Sequence, residues 1–543
     1  MVNSPYDSSF QESYNDIYDC VMGVSPPKGG GRAVEGGKAI ASGGFGCVLR
    51  PAVKCEGERS RREDSISKLL TIEAAKSEMR EISDALAVVK HIPDYGKYFA
   101  VTDYTMCVPD KLTKEDKKQF NYECAEPLGI TTKDFNQLRR SKVRAIISPD
   151  LGIDVSKGLK SLLSDGPSNL KHFLGKFNIK AADFLEYGIA KLQKLHYYHS
   201  DVKPQNMMTD LDVDDIEQSF NYIKLIDFGL ALPVDATARD VNTSFLFNFP
   251  LTSLFFDSKN AQSLNRKIQR SLDNGKLTQK AQKALTGELK EYARYLFYTS
   301  RLGHVPYLLD IGPIAYNMTQ SQFSEYMIQL WSKYVLYAVI ATSKRMKQSN
   351  NDLYFSRQPY WEAVYRYNLD IWGFLTSFLM LASYANRYGH SAIGSIYLER
   401  IVKKYLYNPI YGGKRLPVRD ICTELRAIAK EFGYSKESIS DRQATKKKTL
   451  KTITDFDNNL PVIDLIGKRC PYGTVRHKTI KRKCVKKAIT VKKLGETHSS
   501  SEKKMKKPSK VRSVATQRPN SKRKGCPRGY IRHKTHKNKC VKK

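Results

Sequence analysis

Four side chains near the middle of the chain have the types and spacing that phosphoryl transfer requires. In "YYHSDVKPQNMM" (197–208), Asp201 can orient a hydroxyl group and accept its proton. Lys203, two residues on, is a compact positive charge able to neutralise a phosphoryl group in flight. Pro204 stiffens the loop, and Asn206 offers an amide oxygen to Mg2+. Twenty-one residues after Asn206, "KLIDFGLA" supplies Asp227 as a second metal ligand, on a turn that Gly229 permits. Two protein oxygens suffice, because Mg2+ bridging phosphates takes few protein ligands and keeps its waters. His199 is read as structural, holding the loop backbone through a hydrogen bond. Asp370 and Trp372, in "LDIWGFLTSFLMLA", open a very apolar helix, with Asp370 expected to cap the backbone of the Asp201 loop from below.

A second group of residues suits a nucleotide. "IASGGFGCV" (40–48) has the form of a glycine-rich loop between two strands: Ile40, Ala41, Ser42, Gly43, Gly44, Phe45, Gly46 and Val48 are the candidate contacts of ATP. The glycines remove side chains so that backbone N–H groups can approach phosphates. Phe45 would cap the turn and Val48 would lie against the adenine. A lysine on the third strand must then hold the α- and β-phosphates. Lys54 follows Val48 by only six residues, which leaves little room for a second strand, whereas Lys68 lies in the alternating "SISKLL" just ahead of a helix. Lys68 is therefore preferred, and "CEGERSRREDS" becomes a charged insertion. Glu78 and Glu81 share a face of that helix; Glu78 is favoured as the partner of Lys68, with Glu81 left open.

Elements that could position these groups follow one another in order. Residues 1–32 are polar, end in "SPPKGGGR" and read as a flexible leader. From 33 to 440, apolar periodic segments alternate with short breakers, including "EAAKSEMREISDALAVV" and "AADFLEYGIAKLQKL" with helical spacing. Roughly 240–360 is rich in helical patterns and reads as an insertion. The longest apolar stretch, 372–385, carries Thr376, Ser377 and Ser383 and is too short to span a bilayer.

With those residues in order, 33–440 resembles the eukaryotic-type serine/threonine protein kinases. It is similar in style to those of large nucleocytoplasmic DNA viruses, on "SGGFGCVLRPAVKC", the delayed "ISKLL" lysine and a basic Cys-Pro-x-Gly repeat. The resemblance implies an α+β, bilobal protein-kinase-like fold: a small β-rich lobe with one helix, then a large helical lobe carrying a long helical insertion. It also implies Mg2+-ATP as cofactor, protein hydroxyls as substrate, an adenine-contacting hinge near 149–152, and a host-cytoplasmic or virion location. Three departures bear on control and substrate choice. Ser200 stands where many members have an arginine that pairs with a phosphorylated segment; arginine bonds phosphate in bidentate fashion and serine cannot. No Ala-Pro-Glu closes the segment after Asp227, where "FNFPLTSLFF" is expected to dock substrate instead. Asp227 and Asp370 are 143 residues apart. The competing reading is a pseudokinase acting as a structural or nucleic-acid-binding protein; the full set of Lys68, Asp201, Asn206 and Asp227 argues against it.

The net charge of +36 is concentrated in the tail: 441–543 holds 33 basic and 6 acidic residues. Such a tail suits phosphate backbones, binding nucleic acid without sequence choice, or serves as a solubilising or targeting segment. It contains a repeat, "GKRCPYGTVRHKTIKRKCVKK" (467–487) and "KGCPRGYIRHKTHKNKCVKK" (524–543), offset by 56 residues. Cys470, His477 and Cys484 are three of the four ligands a structural zinc would want; a small Cys-Pro-x-Gly hairpin, closed by a disulfide in an oxidised particle or reduced in the cytosol, is the other reading. The N-terminus shows no basic-then-apolar secretory pattern. Ten scattered cysteines do not suggest a secreted disulfide scaffold, so an intracellular chain is expected.

Overall fold

Alternation within "SGGFGCVLR", "SISKLLT" and "VRAIISP" dictates a sheet with two different faces. The computed structural model describes residues 37–43, 46–244, 246–299, 305–345 and 354–434, together with four short strands in the tail. Strands β1 (Lys38–Gly43), β2 (Gly46–Arg50), β3 (Ser65–Thr71), β4 (Thr105–Cys107) and β5 (Val143–Pro149) form an antiparallel sheet in the order β1-β2-β3-β5-β4. Because side chains alternate along a strand, Cys47, Leu49, Leu69, Ala145 and Ile147 share one face and are buried. The register sets Val48 opposite Lys68 and Lys68 opposite Ile146, so these three share the other face.

The first face is covered by helices Lys114–Glu123, Ala125–Leu128 and Thr132–Lys142, inserted between β4 and β5. Phe120, Leu128 and Phe135 press onto the sheet; one disulfide, Cys47–Cys124, ties this cover to β2, and a second, Cys55–Cys107, ties the β2–β3 connection to β4. Sequence reading anticipated neither the cover nor the disulfides, since bonded pairs 77 and 52 residues apart leave no local signature. Disulfides persist in oxidising surroundings, whereas the scattered cysteines of the sequence do not suggest a disulfide scaffold. The charged insertion is pinned rather than loose: Arg61 pairs with buried Asp116, and Glu56 with Arg139 and Arg140.

Against the second face lies the helix Ile72–Val89, whose N-cap Thr71 accepts from the Ala74 N–H. The rest of the folded region is helical, with a small sheet of β6 (Ile153–Asp154), β7 (Met207–Thr209) and β8 (Lys224–Leu225). At its centre helix Arg366–Arg387 is buried from Asn368 to Ala385, as expected from an all-round apolar sequence. The expected insertion resolves into helices Ser258–Ser271, Gln279–Thr299, Val305–Tyr316 and Gln320–Arg345. Among the described residues no helix is long and apolar enough to cross a membrane.

In the tail, the two repeats form equivalent hairpins. Thr474–Arg476 pairs with Cys484–Lys486, and Tyr530–Arg532 with Cys540–Lys542, each position displaced by 56 residues. The leader 1–32, Cys470, His477 and most of the tail lie outside the described residues.

Candidate active site

The Asp201 loop is held from beneath by a buried carboxylate. Asp370 Oδ1 accepts from the Ser200 N–H at 2.8 Å and Oδ2 from the His199 N–H at 3.0 Å. Ser200 adopts φ 61°, a left-handed conformation rare for a residue with a side chain. The two hydrogen bonds hold it there. Burial pushes the Asp370 carboxyl up to about 7, against the pull of the Ser200 and His199 N–H groups. Gly373, one turn on, leaves no room for a side chain: a Cβ there would sit 2.0 Å from the Val202 carbonyl oxygen.

His199 is fully buried, and burial lowers its pKa, so the ring is neutral. Its Nδ1 accepts from the Asp201 N–H at 3.3 Å, which leaves Nε2–H to donate to the Ile226 carbonyl oxygen at 3.0 Å. This assigns the tautomer and links the Asp201 loop to the residue before Asp227. Phe228 packs edge-on to His199 with centroids 4.8 Å apart and meets Phe99 at 6.4 Å. A continuous column thus runs from helix Arg366–Arg387 to the segment preceding β4.

Asp201 is the hub. Lys203 Nζ lies 2.8 Å from its Oδ2, and Asn206 Nδ2 donates to Oδ2 and to the Asp201 carbonyl oxygen, both at 2.9 Å. With its NH2 so engaged, the Asn206 Oδ1 is the atom left for a cation. Asp227 is exposed, takes φ 64° and bonds the Gly229 N–H at 3.4 Å, so its carboxylate is open to solvent beside Asn206, whose carbonyl oxygen accepts from the Ile226 N–H. Asn206 Oδ1 and Asp227 are a fitting pair of oxygen donors for Mg2+ with several retained waters.

Sequence reading missed Asn248. This buried side chain, within "FNFPLTSLFF", donates to Asp201 Oδ1 at 2.9 Å and to the Val202 carbonyl oxygen at 3.3 Å. The stretch read as a docking segment therefore also grips Asp201. Trp372 and Trp331 fix it by donating to the Phe247 and Leu251 carbonyl oxygens. Only the position of "FNFP" after Asp227 hinted at this, because no spacing rule links residue 248 to 201.

On the sheet, Lys68 Nζ is 2.7 Å from Glu78 Oε2. Burial raises the Glu78 pKa, opposed by Lys68. Glu81, the alternative partner, bonds Ser77 and lies beside Gly229, where a Cβ would be 3.3 Å from its Oε2. Lys54 pairs with Asp110 at 2.9 Å and takes no part. Gly46 fits only as glycine, with a built Cβ 2.1 Å from the Leu69 carbonyl oxygen. Ile40, Ala41, Ser42 and Gly43 lie in β1 and Val48 in β2, whereas Gly44 and Phe45 fall outside the described residues. The expected hinge is a tight crossing: Arg50 bonds Asp150 and the Gly152 carbonyl oxygen, and Gly152 has φ 77° against the Thr209 backbone.

No family model and no curated protein matches this chain.

Proposed function

We propose that this chain is a serine/threonine protein kinase, transferring the γ-phosphoryl group of Mg2+-ATP to a protein hydroxyl, on a bilobal fold of the kinase type. The observation that carries the reading is the convergence on Asp201. Lys203, Asn206 and Asn248 each bond its carboxylate, from two chain segments, while Asp370 fixes the backbone of the two residues before it. A carboxylate with both oxygens engaged by donors is held in one orientation, as a group that receives a hydroxyl proton must be. The Lys68–Glu78 pair, on the sheet face shared with Val48, supports nucleotide binding, and Asn206 with Asp227 would hold Mg2+.

Mechanistically, the chain's own groups supply position and charge. Asp201 orients the attacking hydroxyl and takes its proton, and Lys203 faces the charge developing on the transferred group. Lys68, steadied by Glu78, anchors the phosphates. Bound Mg2+ would neutralise phosphate charge. The basic tail is proposed as a tether to nucleic acid or another polyanion, and the site of action as the host cytoplasm or a virion.

The lysine assignment is the sharpest test of the reading. Transfer of radiolabel from ATP to a basic protein should be abolished by Lys68→Met and retained by Lys54→Met. The reverse result would overturn it.

A further inference from the structure

Two arginines outside the candidate active site share one aromatic ring. The guanidinium carbon of Arg415 lies 3.5 Å from the Tyr367 ring centroid, and that of Arg366 lies 5.0 Å from it. Neither forms an ion pair among the described residues, although most other well-placed arginines do. The two acids four residues from Arg366 along the chain are otherwise engaged: Glu362 bonds Gln358, and Asp370 accepts from the Ser200 and His199 N–H groups. Arg415 spends its Nε on the Ala363 carbonyl oxygen at 3.0 Å, which fixes the plane and leaves both terminal nitrogens for another partner. Arg366 donates one terminal N–H to the Tyr367 hydroxyl at 3.1 Å, and its buried Nε has no partner. Tyr198 is 2% exposed, and its hydroxyl also has no partner. Burial raises the pKa of that hydroxyl, and the charges acting on it include Arg366 and Arg415, which lower it, and Asp370, which raises it. His196 and Arg415 are exposed at the outer side.

Held guanidinium groups lose little freedom on binding, and their forked donors match the oxygens of a phosphate. The charge also discriminates: a phosphorylated side chain carries about −1.5 to −2, matching two arginines, whereas a carboxylate matches one. We propose that Arg366 and Arg415, stacked on Tyr367 above Tyr198, form a binding site for the phosphoryl group of a phosphorylated serine or threonine in a protein segment. The site lies beside the segment after Asp227, because the Tyr198 backbone pairs with Leu232 and Trp361 donates to the Ala236 carbonyl oxygen. It stands apart from Ser200, so a phosphate bound here needs no arginine in the Asp201 loop. The inference does not depend on the kinase reading.

The test uses the full chain, treated with phosphatase, and one labelled peptide in three forms: phosphothreonine, threonine and glutamate. Fluorescence anisotropy at near-physiological salt reads binding. The basic tail contributes to all three arms and is unchanged in the variants. The phosphothreonine form should bind about tenfold more tightly than the other two, and Arg366→Gln/Arg415→Gln should erase that preference. Arg415→Gln alone, at an exposed position, should reduce it without lowering the melting temperature, and it decides the matter if the double variant folds poorly. A preference that survives Arg415→Gln in full, or no preference in the wild type, would overturn the site. Displacement of the peptide by an equal concentration of inorganic phosphate would assign the site to the free ion and overturn the side-chain assignment.

Discussion

Asn248 and Asp370 act on the same loop, Asn248 through the Asp201 carboxylate and Asp370 through the backbone of His199 and Ser200, and each makes a separate prediction. Removing a hydrogen bond to a charged group costs about 1.5–3 kcal/mol, so Asn248→Ala should lower kcat by roughly 10- to 100-fold. The KM for ATP should stay unchanged, because the nucleotide groups on the sheet are untouched; steady-state kinetics with a protein substrate would show the split. Asp370 has a pH signature. Its folded carboxyl titrates near 7 instead of the ordinary 3.8. Between those values the folded state binds the extra proton, so this group's contribution to stability falls as pH rises from about 4 to about 7 and is level above. Asp370→Asn should remove that component from urea midpoints measured across the interval. It should also lower stability at every pH, since an amide accepts through one oxygen only and would point an N–H at a backbone N–H. Asp201, Lys203, Asn206 and Asp227 were legible in the sequence because they fall in two short motifs close together in the chain, and Asp370 because it opens a very apolar helix. Asn248 was not, because its contact depends on the path of forty-odd intervening residues.

At the scale of elements, the alternation of "SISKLL" announced strand β3, and the spacing of 73–89 announced the helix carrying Glu78. The choice between Glu78 and Glu81 was beyond sequence: both lie on one helix face, and only the register of the helix against β3 separates them. The helices covering the other face of the sheet were missed for a different reason. Residues 113–142 are strongly polar, and their few apolar side chains, Phe120, Leu128 and Phe135, signal burial only once the sheet beneath is known. The cover is fastened where the glycine-rich stretch begins its return, since Cys47 follows Gly46 directly. Substituting Cys47 and Cys124 by Ala should destabilise this part of the protein by about 2–5 kcal/mol. Hydrogen exchange of β1 and β2 would report the loss, with β7 and β8 unchanged.

For the whole molecule, charge and chemistry occupy different parts of the chain. The body to 440 carries +9 and the tail +27, so the tail should dominate polyanion binding. The logarithm of the DNA-binding constant should fall steeply with the logarithm of salt concentration in the full chain. That slope should be much shallower in a chain ending at 440, while phosphoryl transfer to a small peptide changes little. The internal repeat was legible as sequence, and its matched hairpins pair equivalent positions at a constant offset, with Cys-Val-Lys as the second strand of both. The central claim remains that Asp201 accepts a proton from a protein hydroxyl while ATP gives up its γ-phosphoryl group. It is tested most directly by radiolabel transfer from ATP to a basic protein substrate, comparing the wild type with Asp201→Ala at matched melting temperature. The account predicts robust labelling by the wild type and a loss of at least about a hundredfold in the variant. Equal labelling by both, or none by either with Mg2+-ATP bound, would contradict it.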